Sequence, residues 1–262
     1  MVSPDPFAAL EQLVADERFG ASITVISDDD RGMKAVVDAD GAVLAGRLPD
    51  RIREPAIADA RDLMRREQSK AVAYDDDEVF IDVVAPPPVL VVFGAVHIAQ
   101  ELSKHAQLLG FRVLVSDARP AFTTQERFPG ATVLQGWPEQ VTGELTADWR
   151  TYVVLLSHDS RFETPVLEWA LRSDARYIGA MGSRRTHLQR MDRLRRAGFV
   201  DSDLDRVHGP VGLDIGAEGP GETAISILAE MIHVRYGSGT GLSLRGRHGR
   251  IHRQRTEDTG DI

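Results

Sequence analysis

Three consecutive prolines, Pro86-Pro87-Pro88, interrupt this 262-residue chain about a third of the way along. Proline lacks a backbone N–H and has a fixed φ, so such a run continues neither a helix nor a central strand. It favours a stiff, extended connector. The chain therefore reads as two domains, residues 1–85 and 89–237, joined by 86–88 and followed by a tail over 238–262. The apolar pattern differs on the two sides of the connector.

On the N-terminal side, Ser22–Ser27 and Met33–Asp38 read as strands around an acidic turn, Asp28-Asp29-Asp30. Ala39-Asp40-Gly41 turns into a short strand at Ala42–Ala45. Glu54–Glu67 sets Ile57, Ala60, Leu63 and Met64 at helical spacing, and Val79–Val84 reads as a closing strand. The expectation is a small α+β domain.

On the C-terminal side, Val89-Leu90-Val91-Val92-Phe93 is an unbroken apolar run, the pattern of a parallel strand buried on both faces. Strand and helix then alternate. Ile98–Leu109 is a helix closed by Gly110, Arg112–Ser116 a strand ending at Asp117, and Tyr152–Leu156 another buried strand. Helices follow near Glu163–Arg172 and Ser183–Ala197, with a strand at Tyr177–Ala180 between them, and the last helix spans Gly221–Tyr236. This alternation implies an α/β domain with a Rossmann-type, doubly wound parallel sheet.

Whole-chain numbers narrow the classes. A hydrophobic content of 42% and a charged content of 27% are those of a soluble globular protein, and a net charge of -9 argues against nucleic acid or an anionic membrane surface as partner. The chain has no cysteine, which excludes disulfides, iron–sulfur clusters, thiolate metal sites and a cysteine nucleophile. No secretory signal opens it, and no apolar run reaches the roughly 20 residues that span a bilayer. These features give the expectation of a cytoplasmic protein. The eight histidines show no metal-ligand spacing, so no protein metal site is expected. Five arginines and two histidines between Arg245 and Arg255 read as part of a disordered tail, with a nucleic-acid or partner arm as the alternative.

Ligands of a doubly wound sheet bind beyond the carboxyl ends of its strands, where four loops carry candidate residues. The first is Gly94-Ala95-Val96-His97-Ile98-Ala99, placed where a G-x-G-x-x-G/A fingerprint belongs, with Asp117 at ribose-binding spacing. Gly94 suits the tight turn, but Val96 replaces the glycine that lets backbone approach a pyrophosphate. His97 either faces the pocket or caps the helix. The second loop is Ser157-His158-Asp159-Ser160-Arg161. Adjacent residues cannot form a catalytic triad, so Asp159 reads as a helix cap or ligand contact, and His158 as a ligand, a proton-transfer group or a solvated histidine.

The third loop, Gly179 to Arg185, joins Gly182 and Ser183 to Arg184 and Arg185 at a helix N-terminus, a suitable anion site. The fourth runs from His208 to Glu218. Its glycines, Gly212 and Gly216 among them, allow close packing on a flat ligand, and Asp214 offers an acceptor to a ring edge. Each loop also admits a purely structural reading.

The strings Tyr177-Ile178-Gly179 through Gly182-Ser183-Arg184-Arg185, and His208-Gly209-Pro210-Val211-Gly212-Leu213-Asp214-Ile215-Gly216-Ala217, resemble the XdhC/CoxI family. The segments Phe111-Arg112-Val113, Asp117-Ala118-Arg119-Pro120 and Glu126-Arg127-Phe128-Pro129 are similar to it as well, so the resemblance covers about residues 88–237. It implies a non-catalytic maturation factor that binds the molybdenum cofactor, as molybdopterin or its cytosine dinucleotide form. Such a factor delivers the cofactor to a molybdenum hydroxylase apoenzyme of the xanthine or carbon monoxide dehydrogenase kind. It also implies a homodimer and a cysteine desulfurase as a further partner. The chain departs from the family at Gly46-Arg47-Leu48-Pro49-Asp50, where a cysteine-containing motif is usual, and at Val96. A mechanism that uses a protein thiolate is therefore closed to it. The competing readings are an NAD(P)-dependent oxidoreductase, in which Asp117 favours NAD over NADP, and a scaffold paralogue that binds no cofactor.

Overall fold

A computed structural model describes residues 5–27, 29–157, 159–237 and 239–246. The chain divides into two compact units, Met1–Pro87 and Pro88–Ile262.

The first unit begins with α1 (Pro6–Ala15), capped by Asp5, whose carboxylate accepts from the Phe7 N–H. Five strands follow: β1 (Gly20–Val25), β2 (Lys34–Asp38), β3 (Val43–Gly46), β4 (Lys70–Tyr74) and β5 (Asp77–Val84), with α2 (Asp50–Arg66) between the third and fourth. They form an antiparallel sheet in the order β3-β2-β1-β5-β4. Helix α2 buries Ile52, Ala56, Ala60, Leu63 and Met64 in one core with Ala21, Ile23, Val79 and Ile81 of the sheet. It starts four residues before the sequence-based expectation, at Asp50, because Asp50 suits the positive end of the helix dipole. Strand β4 is not evident in the sequence. It is an edge strand, largely exposed, and the short Asp75-Asp76 turn that folds it onto β5 puts Asp75 at positive φ.

The second unit holds six parallel strands: β6 (Val89–Phe93), β7 (Arg112–Asp117), β8 (Thr132–Gln135), β9 (Thr151–Leu155), β10 (Tyr177–Ala180) and β11 (Val207–His208). Their order is β11-β10-β9-β6-β7-β8. The chain enters at the centre with β6, winds out through β7 to β8, then crosses back to β9 and winds out the other way. This is the doubly wound Rossmann order, and the reversal between β6 and β9 opens a crevice at their carboxyl ends. The expected α/β class and Rossmann-type sheet are therefore present.

Successive residues of β6 face opposite sides, which explains its unbroken apolar run. Leu90 and Val92 join a core with α3 (His97–Leu108) and α8 (Pro220–Tyr236). Val91 and Phe93 join another with α5 (Ser160–Leu171) and α6 (Arg184–Arg196). Strand β8, α4 (Pro138–Glu144) and α7 (Asp201–Leu204) carry no clear sequence signal. They are short, and β8 is a half-exposed edge strand without the apolar run that marks its neighbours. Of the segment read as a tail, residues 239–246 are described and contain one 3-10 turn, Leu244–Gly246. Residues 238 and 247–262 lie outside the described residues. No helix among the described residues is long and apolar enough to cross a membrane.

Candidate functional site

At the strand reversal lies a cavity of about 380 Å³, near the lower end of the range for small-molecule sites. Four loops build it. Gly94 and Val96 come from the turn after β6, Ser116, Asp117 and Arg119 from the end of β7, Gly136 and Pro138 from the turn after β8. Leu156, Ser157, Asp159 and Phe162 come from the loop after β9 and the start of α5.

The turn after β6 is fixed by backbone geometry. Gly94 has φ +107°, and a Cβ placed on it would lie 3.2 Å from the Leu156 carbonyl carbon and the Ser157 nitrogen. Positive φ and this close approach together require glycine. The Gly94 N–H donates to the Ser116 carbonyl at 2.8 Å, which ties the turn to β7. Val96 is the N-cap of α3, and its side chain cannot accept a hydrogen bond from the first-turn N–H groups. Two other major helices with N-termini on this edge are capped by a side chain, α5 by Asp159 and α6 by Ser183, whereas Glu222 of α8 accepts from the Glu218 and Gly219 N–H groups ahead of the first turn. The α3 end, beside the cavity, thus keeps orphan donors and the positive pole of its dipole.

Asp117 stands where a Rossmann acid commonly accepts ribose hydroxyls, but its acceptor capacity is used by the protein itself. One oxygen accepts from the Arg119 N–H at 3.0 Å and Nε at 2.9 Å. The other accepts from the Ala95 N–H at 2.9 Å and Arg119 Nη2 at 2.8 Å. A carboxylate offers about four acceptor positions, and all four are filled. Burial alone would raise the Asp117 pKa, but the bonds from Arg119 and Ala95 outweigh it and hold the carboxyl below its ordinary range. Asp117 thus lines the cavity as the anchor of Arg119 and of the β6 turn.

Asp159 also lines the cavity. It caps α5 by accepting from the Arg161 N–H at 3.0 Å, and it pairs with the Arg161 guanidinium. His158 lies outside the described residues. His97 is on the first turn of α3 but is exposed and takes no part in the lining.

The third and fourth loops sit elsewhere. Ser183 Oγ caps α6 by accepting from the Thr186 N–H at 3.1 Å, and Gly182 takes φ +143° in the turn before it. Arg184 and Arg185 are exposed after β10, one strand beyond the reversal, and do not line the cavity. Strand order thus sets them one strand away from the end of β9, where the loop facing Gly94 begins. Gly212, Asp214 and Gly216 occupy the loop after β11, with Asp214 and Gly216 exposed. This loop is held from below by Glu230 of α8, which accepts from the Gly212 N–H at 2.9 Å and from the Tyr177 hydroxyl. His208 Nδ1 lies 3.5 Å from the second Glu230 oxygen, and its ring stacks on Tyr177 at 4.7 Å. A Cβ on Gly209 would lie 2.1 Å from His187 Nδ1, so the third and fourth loops are neighbours.

Arg119 and Phe162 are site residues that sequence reasoning misses. Arg119 has a signal in its two-residue spacing from Asp117 at a strand end. Phe162 has none: it stacks at 4.7 Å on Trp137, an exposed residue next to the cavity-lining Pro138 and distant in sequence. Among the described residues, no group of three or more His, Asp or Glu is placed to hold a metal ion.

The strand order, the crevice at the reversal and the uncapped helix beside it define a Rossmann-type domain. Residues 90–231 match the family model of the XdhC Rossmann domain, and the chain belongs to the XdhC family. The family suggested by the loops around Gly182 and Gly212 is thus the one found.

Among its relatives, Escherichia coli YqeB, an uncharacterized protein, is 31% identical over 199 residues, covering 75% of this chain and 36% of that protein. A probable xanthine dehydrogenase component from Bacillus subtilis is 33% identical over 158 residues, 60% of this chain and 46% of that protein. The molybdenum cofactor insertion chaperone PaoD of Escherichia coli is 35% identical over 99 residues, 38% of this chain and 30% of that protein. The chain thus matches about a third to a half of the length of these curated relatives. A solved structure of a xanthine dehydrogenase from Bacillus halodurans superposes with a TM-score of 0.53 at 19% identity, covering 92% of this chain and 98% of that one. That likeness concerns the fold alone.

Proposed function

We propose that this protein is a maturation factor that carries a molybdenum cofactor as cargo in the cavity at the strand reversal. It hands the cofactor to a molybdenum hydroxylase apoenzyme. The observation that carries the reading is the uncapped α3 N-terminus beside a partly apolar cavity. The first-turn N–H groups of α3 suit the cofactor's phosphate. Phe93, Val96, Leu156 and Phe162 offer apolar walls to a flat ring. The name of the relative PaoD points in the same direction. With no cysteine in the chain, the cargo is held by hydrogen bonds, charge and packing, without a protein thiolate. The carrier acts as a homodimer and takes a cysteine desulfurase as a further partner.

The rival oxidoreductase reading loses its main support at Asp117, which has no free acceptor for the NAD ribose. The test is anaerobic co-elution of freshly released cofactor with the purified chain on a desalting column. Bound pterin is read as its fluorescent oxidation product, with NAD and NADP run in parallel. Near-stoichiometric pterin is the expected result. A chain that elutes empty, or that carries only a nicotinamide dinucleotide, overturns the proposal.

A further inference from the structure

We propose that Arg119 makes this cavity selective for a phosphate monoester over a ribose diol, so that the cargo is the monophosphorylated pterin and not its cytosine dinucleotide form. The inference rests on the carrier reading for the identity of the cargo, but its physical basis is local. Arg119 is the single cation among the described residues that line the cavity. Arg161, which follows nearby, is turned onto Asp159, and Arg184 and Arg185 stand outside the lining.

Two contacts fix the Arg119 guanidinium. Asp117 holds Nε and Nη2, and the Phe122 ring lies 3.9 Å from the guanidinium carbon on one face. Nη1 has no partner among the described residues, and the side chain is 54% exposed. A planar donor held in this way loses little conformational entropy when it binds an acceptor. A phosphate monoester carries up to two negative charges and three strong acceptor oxygens, so it matches this donor edge.

A ribose diol fares differently. Its hydroxyls need an acceptor at the end of the second strand wound, and that acceptor, Asp117, is saturated. Hydroxyls brought against it lose water without gaining a bond, which is a net cost. The Asp117–Arg119 pair therefore works in both directions: it presents a donor to phosphate and withholds an acceptor from the diol.

The experiment is titration calorimetry of the full chain with four probes: molybdopterin, its cytosine dinucleotide form, 2′-AMP and adenosine. Wild type, Arg119→Gln and Arg119→Lys are compared, with thermal melts to verify folding. The expected result is a preference of about tenfold or more for molybdopterin over the dinucleotide form, and for 2′-AMP over adenosine. Arg119→Gln should abolish both preferences, and Arg119→Lys should keep part of them. Equal affinities within each pair in wild type overturn the selectivity while leaving the carrier reading intact. A retained preference for 2′-AMP over adenosine with no pterin binding supports the selectivity and overturns the carrier reading. If Arg119→Gln folds and keeps both preferences, Arg119 is not the selecting residue.

Discussion

Arg190 Nη2 lies 2.7 Å from Glu163 Oε1, and each side chain is only 1% exposed. The pair ties α6 to α5. Arg193 approaches the other Glu163 oxygen at 2.9 Å, and Arg190 Nη2 also donates to the Met181 carbonyl at 2.8 Å. Arg190 Nε and Nη1 have no partner among the described residues, so this buried cation depends heavily on one carboxylate. Removing that carboxylate leaves a buried charge without its counter-ion. Glu163→Ala should destabilise the domain by about 3–5 kcal/mol, whereas replacing the whole pair, Glu163→Leu with Arg190→Met, should cost far less. Urea unfolding of the three proteins checks this, and a single variant within about 1 kcal/mol of wild type would contradict it.

Gly212 gives a second prediction, this time about the glycine-rich loop. Its φ is +100°, and an added Cβ would fall 2.4 Å from Ser226 Oγ, which already donates to the Leu213 carbonyl. Gly212→Ala meets both backbone strain and a collision, and should cost about 2 kcal/mol. The neighbouring Gly216 has φ +73° but open space around it, so Gly216→Ala meets the conformational cost alone, about 1 kcal/mol. Thermal melts that rank the two variants in the opposite order would refute this account of the loop.

Much of the fold can be read along the chain because its signals are local. The apolar runs of β6 and β9 announce strands buried on both faces, and Pro86-Pro87-Pro88 announces a break. Other features are not local. Strand order decides which loops meet at the reversal, and nothing in Ser183-Arg184-Arg185 reveals that β10 lies one strand beyond it. A favourable motif therefore does not reveal which strand end it occupies. The position of Asp117 at a strand end is legible, but its saturation by Arg119 is a matter of side-chain geometry. Helix α1 buries only Leu13, too little apolar periodicity to reveal a helix in the sequence.

Glu230 gives the domain a pH dependence. Burial would raise its pKa, but hydrogen bonds from His208, Tyr177 and the Gly212 N–H outweigh that and hold it below the ordinary carboxylate range. A carboxyl whose folded pKa is depressed contributes stability above the unfolded value, about 4.3, and loses it as the pH falls through the folded value. Stability should therefore fall on acidification below about pH 4 to 5, and Glu230→Gln should remove part of that slope. Urea midpoints for wild type and variant, measured from neutral pH downward, should converge as the pH drops. Parallel curves would mean that Glu230 is not a source of the acid sensitivity.

The stacked rings of Trp137 and Phe162 offer a direct reading of the cavity. Their centroids are 4.7 Å apart with planes inclined by 20°, and Phe162 belongs to the cavity wall while Trp137 stands half exposed beside it. A flat cargo that packs on Phe162 changes the surroundings of this pair, so ligand binding should alter tryptophan emission. The chain has three tryptophans, and Trp137→Phe should remove the change without abolishing binding. Phe162→Ala deletes the wall itself. Aromatic contacts of this kind contribute about 0.5–1.5 kcal/mol beyond area burial, so affinity for the pterin should fall by about three- to tenfold or somewhat more. An emission change that survives Trp137→Phe, together with unchanged affinity in Phe162→Ala, would place the ring elsewhere than this wall.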